Sequence, residues 1–174
     1  MAKTYIITDT HFNGKVWGDP SYTDKIFENW EKTVKPQDTI IHGGDIASGK
    51  FNKIADRIKS MPGYKILIRG NHDCSKNEKY LEVFDEVHYQ MIRENIVYSH
   101  YPVDARIYNC SYNIFGHFHR YPKNMRDSLV VRYKDFFEFE RNFTYVMTDW
   151  DFTPIEISTF VKKCSEHAKL CFQL

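Results

Sequence analysis

The chain places two histidines one residue apart, directly after a glycine, in the stretch FGHFHRY at residues 115–121. In an extended segment, residues i and i+2 point the same way, so His117 and His119 can present two imidazoles to one small volume. An isolated histidine is more often a core or surface residue. The rest of the sequence must therefore decide whether this volume holds a metal ion.

Other candidate ligands follow short apolar runs in the same way. Five runs each end just before side chains that bind metal ions or phosphate. These side chains are Asp9 and His11 after the first run, Asp45 after the second, Asn71, His72 and Asp73 after the third, His100 after the fourth, and His117 and His119 after the fifth. In open α/β sheets, ligands bind in the crevice outside the carboxyl ends of the strands. Five of the eight histidines fall at such positions, whereas His42, His88 and His167 do not.

This mixture of carboxylates, an amide oxygen and imidazoles suits Mn, Fe, Zn or Ni better than Ca. The set is too large for one tetrahedral zinc ion, but it suffices for two metal ions about 3.5–4 Å apart. One carboxylate would bridge the two ions, and a bridging hydroxide would be the nucleophile of an in-line displacement at phosphorus. The residues therefore predict two divalent transition metal ions as cofactors, with Mn as the first choice.

The elements that must position these residues alternate between strands and helices. The runs at 4–8, 38–42, 64–69, 95–99 and 111–115 are short and rich in β-branched or aromatic residues, as buried strands are. Apolar periodicity predicts helices over 21–35, where Ser21 and Asp24 resemble a capping box, and over 51–61. This alternation is typical of an α/β fold. We assign residues 120–144 to a loop or hairpin.

A third helix is predicted near the C-terminus. Thr153, Pro154 and Glu156 supply an N-cap, a proline at the first helical position and a capping-box acid. Cys164 and Cys171 then lie on the apolar face, which favours core-facing residues over a disulfide or metal pair.

Composition is consistent with one domain over residues 1–174. Apolar residues make up 42%, and the formal net charge of +1 gives no electrostatic reason to expect nucleic acid as a partner. No apolar run approaches the roughly 20 residues needed to cross a bilayer, and the N-terminus turns polar too soon for a signal peptide. The four cysteines show no CxxC spacing. We therefore expect a cytoplasmic protein with reduced thiols and no membrane partner.

The ordered motifs resemble those of a known family. They are Asp9-x-His11, Gly44-Asp45, Gly70-Asn71-His72-Asp73, His100 and Gly116-His117-x-His119. This set resembles the calcineurin-like metallophosphoesterase superfamily. The fuller text, with TDTHF, LIRGNHD, SHYP, GHFH and the closing TDWDFTPIEI, looks like its small single-domain bacterial or phage-type branch. The resemblance runs from residue 4 to about 119 and resumes near 143.

The resemblance implies a fold and a role for each residue. The fold would be a four-layer α/β/β/α sandwich of two mixed sheets flanked by helices. The first metal ion would be held by Asp9, His11, Asp45 and His119, and the second by the bridging Asp45 with Asn71, His100 and His117. Asn71 would also lie against the substrate. His72 would bind no metal and would act on the leaving oxygen as the general acid.

Some positions remain open. Certain relatives carry an aspartate that steadies the catalytic histidine where this chain has Ser48, and Asp73 is then the nearest candidate for that task. Arg69 and Arg120 flank the motifs and are predicted to bind substrate phosphate, with a structural salt bridge as the alternative. His42 is either a core histidine, the favoured interpretation, or a support for the site.

Three functions are considered. The favoured one is a phosphodiesterase acting on a nucleotide-like or nucleic-acid-like phosphate ester. The alternatives are a phosphomonoesterase, including a protein phosphatase, and a non-catalytic scaffold with the same fold. The scaffold ranks last because His72 and a full set of ligands are present.

Overall fold

The computed structural model describes residues 1–19, 21–119, 133, 135–138 and 140–171, with side chains as far as residue 166. The strands are β1 (Thr4–Ile7), β2 (Thr39–His42), β3 (Tyr64–Ile68), β4 (Glu86–His88), β5 (Gln90–Arg93), β6 (Ile96–Ser99), β7 (Tyr112–Phe115), β8 (Asn142–Thr144) and β9 (Ile155–Glu156). The α-helices are α1 (Tyr22–Thr33), α2 (Ala55–Ser60), α3 (Asn77–Leu81) and α4 (Ile157–Cys171). Short 3₁₀ helices cover Phe51–Lys53, Ala105–Tyr108 and Met147–Trp150.

The first sheet is mixed and has the strand order β4-β3-β2-β1-β9. Strands β1 to β4 run parallel, and β9 returns antiparallel beside β1. Ile6, Ile41 and Ile66 lie in register across three neighbouring strands and are almost wholly buried. Such continuous apolar runs are what a parallel sheet covered on both faces requires. All carboxyl ends of β1–β4 meet at one edge of this sheet.

The second sheet has the order β5-β6-β7-β8, with β5 antiparallel to β6 and the other pairs parallel. Tyr98, Ile114 and Phe143 point from it into the same apolar core that the first sheet lines. Val97 points the other way and packs with Ala105 of a 3₁₀ helix. The predicted α/β class, with two mixed sheets flanked by helices, is confirmed.

The five apolar runs predicted as strands are strands β1, β2, β3, β6 and β7. The predicted helix over 51–61 is instead a 3₁₀ turn followed by α2, and Ser21 makes no side-chain cap on α1. Strands β4 and β5 and helix α3 were not predicted, because each is short and only partly apolar. The predicted loop over 120–144 contains β8 at its end, while Arg120 and residues 121–132 lie outside the described residues.

The predicted start of the C-terminal helix is wrong by a few residues. Ile155 and Glu156 pair with β1, and the helix begins only at Ile157. The Glu156 carboxylate is not a cap, since it lies 2.7 Å from the Lys3 ammonium and accepts a hydrogen bond from Ser158. Pairing with a distant strand therefore overrides the local helix signal. Within the described helices, none is both long and apolar enough to cross a membrane.

Candidate metal centre

The edge where strands from both sheets end gathers the predicted ligands. Two groups of metal-binding side chains form there, and within each group the ligand atoms lie within 4.8 Å of one another. The groups are Asp9, His11, Asp45 and His119, and Asp45, His100 and His117. Asp45 belongs to both groups, so its carboxylate lies between them.

The first group is tightly packed. The Nε2 atoms of His11 and His119 are 2.9 Å apart, and His119 Nε2 lies 3.4 Å from Asp9 Oδ1. His11 Nε2 is 3.7 Å from Asp45 Oδ2. Ring nitrogens and carboxylate oxygens therefore face one small volume.

The second group includes an amide oxygen as well. Asn71 Oδ1 lies 2.9 Å from His100 Nε2 and 3.1 Å from His117 Nδ1. His100 Nε2 is also 3.4 Å from Asp45 Oδ2. All seven side chains predicted to bind metal thus converge on two adjoining positions.

Two features show that this donor set fits metal ions. Asp45 Oδ2 is fully buried yet has no hydrogen-bond partner, and a buried unpaired carboxylate oxygen is costly. His100 Nδ1 lies 2.8 Å from the Gly43 carbonyl, so in a neutral ring it carries the proton and Nε2 has a bare lone pair. That lone pair faces two further acceptors, Asp45 Oδ2 and Asn71 Oδ1. A cation between these atoms would relieve the repulsion.

The ionisation states also suit coordination. Burial and the neighbouring His119 lower the pKa of His11 to about 4, and burial with His100 lowers the pKa of His117. Burial alone would raise the pKa of Asp45, but His100 lowers it to about 2. At neutral pH His11 and His117 are therefore neutral and Asp45 is ionised, which are the forms that bind metal. Burial alone would lower the pKa of His100, but the Asp45 carboxylate raises it.

Comparison with known proteins agrees with this geometry. The model of the calcineurin-like phosphoesterase family matches residues 2–152. The chain belongs to that family. Membership supports a hydrolase that acts on phosphate esters, and the donor set supports divalent metal ions at its site.

Two proteins are similar to this chain, one in sequence and one in structure. The chain is 28% identical to the uncharacterized protein MJ1445 of Methanocaldococcus jannaschii over 131 aligned positions, and the alignment covers 68% of this chain and 70% of that protein. It superimposes on the crystal structure of AQ665 from Aquifex aeolicus, a protein of unknown function, with a TM-score of 0.75 and 27% identity. That alignment covers 93% of this chain and 99% of the other, so the fold is shared over nearly the whole length.

The backbone at the phosphoesterase site is unusual. Asp9, His11, Asp45 and His117 all have positive φ, at 53°, 40°, 55° and 70°. Non-glycine residues adopt this conformation at a cost, and such residues cluster at functional sites. The sharp turns end the strands and orient the side chains that follow them toward the site.

Gly44 is required beside Asp45 for two reasons. Its φ is 100°, and an added Cβ would lie 2.5 Å from the backbone nitrogen of Gly70. The same Cβ would lie 2.8 Å from His100 Nδ1. The loops after β2 and β3 therefore approach too closely for any side chain.

Asp73 holds these two loops together. Its buried carboxylate accepts hydrogen bonds from the backbone nitrogens of Asp45, Ile46 and Gly70, at 2.9, 3.0 and 2.7 Å. The possibility that Asp73 orients the ring of His72 is not supported, since both its oxygens bind backbone N–H groups.

His72 lies at the open side of the site. Its side chain is 60% exposed, and Nε2 is 4.0 Å from Asp45 Oδ2. Its backbone nitrogen donates to Asp45 Oδ1 at 2.8 Å, which ties the histidine to the shared carboxylate. Ser48, at the position where some relatives have an aspartate, lies with its hydroxyl 3.5 Å from His11 Nδ1.

His42 is a buried support behind the site. Its Nδ1 accepts from the Gly44 nitrogen at 3.1 Å, and its Nε2 lies 2.9 Å from the Thr10 hydroxyl. That hydroxyl donates to the Ile46 carbonyl, so Nε2 carries the proton of a neutral ring. Burial lowers the pKa of His42 to about 3.

Arg69 holds a loop. Its guanidinium donates to Asn77 Oδ1 at 2.7 Å, to the Tyr89 hydroxyl at 2.9 Å, and to the carbonyls of Asp73 and Ser75. These contacts favour a structural role over the predicted phosphate contact, although the acceptors are neutral groups and not the carboxylate of a salt bridge.

Trp17 was not found from the sequence. Its Nε1–H donates to the Asp9 carbonyl at 2.9 Å, and its ring centroid lies 5.2 Å from that of His119. It therefore supports two predicted ligands of the first group. A lone tryptophan in a glycine-containing loop carries no spacing signal, so only the fold reveals this contact.

Proposed function

We propose that the chain is a phosphodiesterase that uses two divalent metal ions, with a nucleotide-like or nucleic-acid-like diester as substrate. The observation that carries this proposal is the shared Asp45, whose buried Oδ2 has no partner and adjoins both ligand groups. A carboxylate in this position suits two neighbouring cations.

In this proposal each ion has its own ligands besides Asp45. Asp9, His11 and His119 would hold one ion, and Asn71, His100 and His117 would hold the other. When bound, the ions would activate water at neutral pH and stabilise the negative charge that develops on the phosphoryl oxygens. The donors mix hard oxygen with imidazole, which suits Mn, Fe, Zn or Ni, and Mn is our first choice among these four.

His72 would act on the leaving group. Its ring is exposed at the mouth of the site, within reach of a substrate that contacts the region of Asp45. As an imidazolium it would donate the Nε2 proton to the departing oxygen, which would leave as an alcohol, and the side chain would become neutral imidazole. The hydrogen bond from the His72 backbone N–H to Asp45 Oδ1 would hold this residue next to the phosphoryl group.

Two clefts support a diester over a monoester. One cleft, of about 300 Å³, contains His72 with Lys50 and Asn52. The other, of about 310 Å³, contains Asn71 and His100. The two share no lining residue, so each could receive one of the two substituents that a phosphodiester carries. A monoester would need only one cleft.

We further propose that residues 1–174 form one domain. The family match ends at residue 152, but Phe160 of α4 is fully buried in the core that both sheets line. Limited proteolysis of the intact chain should therefore leave α4 attached, whereas early release of α4 would contradict this.

Chromogenic esters test the reaction. Protein dialysed against EDTA and reloaded with Mn should hydrolyse bis(p-nitrophenyl) phosphate with a higher kcat/KM than p-nitrophenyl phosphate. The metal-free sample and the variant Asp45→Asn are the controls, and both should be inactive. A higher kcat/KM for the monoester would favour a phosphomonoesterase. If the protein is reloaded in turn with Mn, Fe, Zn and Ni and none supports hydrolysis, a scaffold is favoured.

A further inference from the structure

We propose that the cleft on the Asn71 side is a subsite for a flat aromatic heterocycle, such as a nucleobase, attached to the phosphoryl group. This inference rests on the proposed function, because it assigns the second substituent of the diester to this cleft. The cleft is lined by Asn71, His100, Tyr89, Gln90, Tyr101 and Val103 among others.

The cleft is continuous with the candidate metal centre. Asn71 and His100 belong to its wall and also to the second ligand group. A phosphoryl group at the centre would therefore direct one substituent straight into the cleft. Its volume of about 310 Å³ lies at the lower end of the range for small-molecule sites, which suits one base or nucleoside better than a larger group.

Tyr89 is an exposed aromatic residue that is nevertheless held in place. Tyr89 is 69% exposed to solvent, which is unusual for a residue with a large aromatic ring. The Arg69 guanidinium lies 5.2 Å from its ring centroid and donates to its hydroxyl at 2.9 Å. Because Arg69 is itself bound to the following loop, these contacts restrict the positions open to the Tyr89 ring. An ordered aromatic surface binds with less loss of side-chain entropy.

Tyr101 brings a second aromatic ring to the wall of the cleft. Its hydroxyl donates to Asn71 Oδ1 at 3.1 Å, and its ring centroid lies 4.4 Å from that of His117. The residue is 43% exposed. Two aromatic rings thus line one cleft, and Tyr101 lies beside the candidate metal centre, an arrangement suited to a planar group linked to phosphate.

The charge of the cleft favours a neutral ring over a second phosphate. Among its described lining residues, Arg69 is the permanently charged one, and its guanidinium already donates to four protein acceptors. Gln90 contributes a carboxamide, which can hydrogen-bond to a base edge. The opposite cleft instead contains Lys50 and suits an anionic or polar substituent.

Calorimetry with two matched ligands tests the subsite without turnover. Deoxyadenosine 5′-monophosphate and 2-deoxyribose 5-phosphate carry the same phosphate and sugar, but only the first has a base. Titrated into Mn-loaded protein, the nucleotide should bind more tightly, by on the order of 10-fold, as expected for stacking on aromatic side chains.

Variants of Tyr89 identify the ring responsible. Tyr89→Ala should bring the two affinities close together, whereas Tyr89→Phe should keep most of the difference because the ring remains. Tyr64→Ala removes another exposed tyrosine, at the start of β3 and outside both clefts, and should leave the 10-fold difference unchanged. Thermal melts of each variant verify that the fold is intact.

The outcomes separate this inference from the proposed reaction. Equal affinities in the wild type, or an unchanged difference in Tyr89→Ala, overturn the subsite even if the diester is hydrolysed. A base-dependent affinity that Tyr89→Ala abolishes supports the subsite, even if the chromogenic diesters are not hydrolysed. In that case only the proposed reaction fails.

Discussion

Asp45 is the residue on which both halves of the candidate metal centre depend. One of its oxygens, Oδ1, accepts a hydrogen bond from the backbone of His72, while Oδ2 is buried without a partner. His11 and His100 approach Oδ2 from opposite ligand groups, at 3.7 and 3.4 Å. The two proposed metal ions would lie on either side of this atom.

Asp45→Ala should therefore lose both metal ions. Loss of the shared carboxylate leaves each ion with fewer ligands and removes the negative charge that would offset two cations. Metal content after dialysis against Mn, measured by plasma mass spectrometry, should fall from about two ions per chain in the wild type toward zero. Asp56→Ala, which removes an exposed aspartate of α2, is the matched control and should retain metal. Near-normal occupancy in Asp45→Ala would reject the bridging role.

His72→Ala should keep its metal ions but lose rate. The side chain is exposed and is not a member of either ligand group, so its loss removes a proton donor and leaves the ligands in place. For a diester with a poor leaving group, turnover should fall by roughly 10²- to 10⁴-fold, the usual contribution of a general acid.

A good leaving group separates this role from others. The loss in His72→Ala should be much smaller with p-nitrophenolate, which departs without a proton. His88→Ala is the matched control, since His88 lies on β4 and pairs with Glu86 outside the site. A poor leaving group that is hydrolysed by His72→Ala at the wild-type rate would remove His72 from the mechanism.

The loops after β2 and β3 form one unit. Asp73 accepts backbone hydrogen bonds from both loops, and Gly44 lies where a Cβ would strike the backbone of Gly70. Asp45 is thus oriented by a neighbouring loop that itself carries Asn71 and His72. The geometry of the ligands depends on contact between these loops as much as on the strands.

Gly44→Ala should destabilise the fold and weaken metal binding. The methyl group is strained by the positive φ and also overlaps the backbone of Gly70, so the free energy of unfolding should fall by about 2–4 kcal/mol. Urea denaturation and Mn titration measure the two effects.

Gly18→Ala provides the matched control for backbone strain. Gly18 has the same φ of 100°, but an added Cβ meets nothing within 4 Å. This variant should lose only the smaller strain energy and should bind Mn as the wild type does. If both variants lose the same stability and retain full Mn affinity, the close approach of the two loops is not required.

For the whole molecule, acid sensitivity follows from buried neutral histidines. His42 has a pKa of about 3 in the folded chain because it is buried, whereas the unfolded chain has the ordinary value of 6.5. Between these values the unfolded chain takes up a proton that the folded chain does not. The contribution of neutral His42 to the free energy of unfolding is therefore fully present above pH 6.5 and is lost as the pH falls toward 3. His11, with a pKa of about 4, acts in the same direction when no metal is bound.

We expect the metal-free protein to be less stable at pH 5 than at pH 7. The contribution of His42 alone should be about 2 kcal/mol over this interval, from about 1.4 kcal/mol for each unit between pH 6.5 and pH 5. Urea midpoints in EDTA measure the change. In His42→Gln, which does not titrate, the decrease should be smaller by about that amount, and an identical decrease in both proteins would contradict this account.

Much of the site was predictable because its chemistry limits the residue types. His11, Asp45 and His100 each follow an apolar run, and the runs proved to be strands whose carboxyl ends meet at one edge. The C-terminal helix shows the opposite case. Thr153 and Pro154 carry a strong local signal for a helix start, yet Ile155 pairs with β1 because that pairing extends a sheet.

Residue types and local patterns were enough to identify the side chains that could bind metal and the order in which they follow the strands, because both are local properties of the chain. The roles of the intervening residues became visible only in the folded structure. Asp73 fastens two loops, Arg69 holds Tyr89, and Trp17 supports Asp9, and each of these contacts joins residues whose spacing carries no signal. Such contacts depend on how two sheets and their loops pack, which no single stretch of sequence encodes.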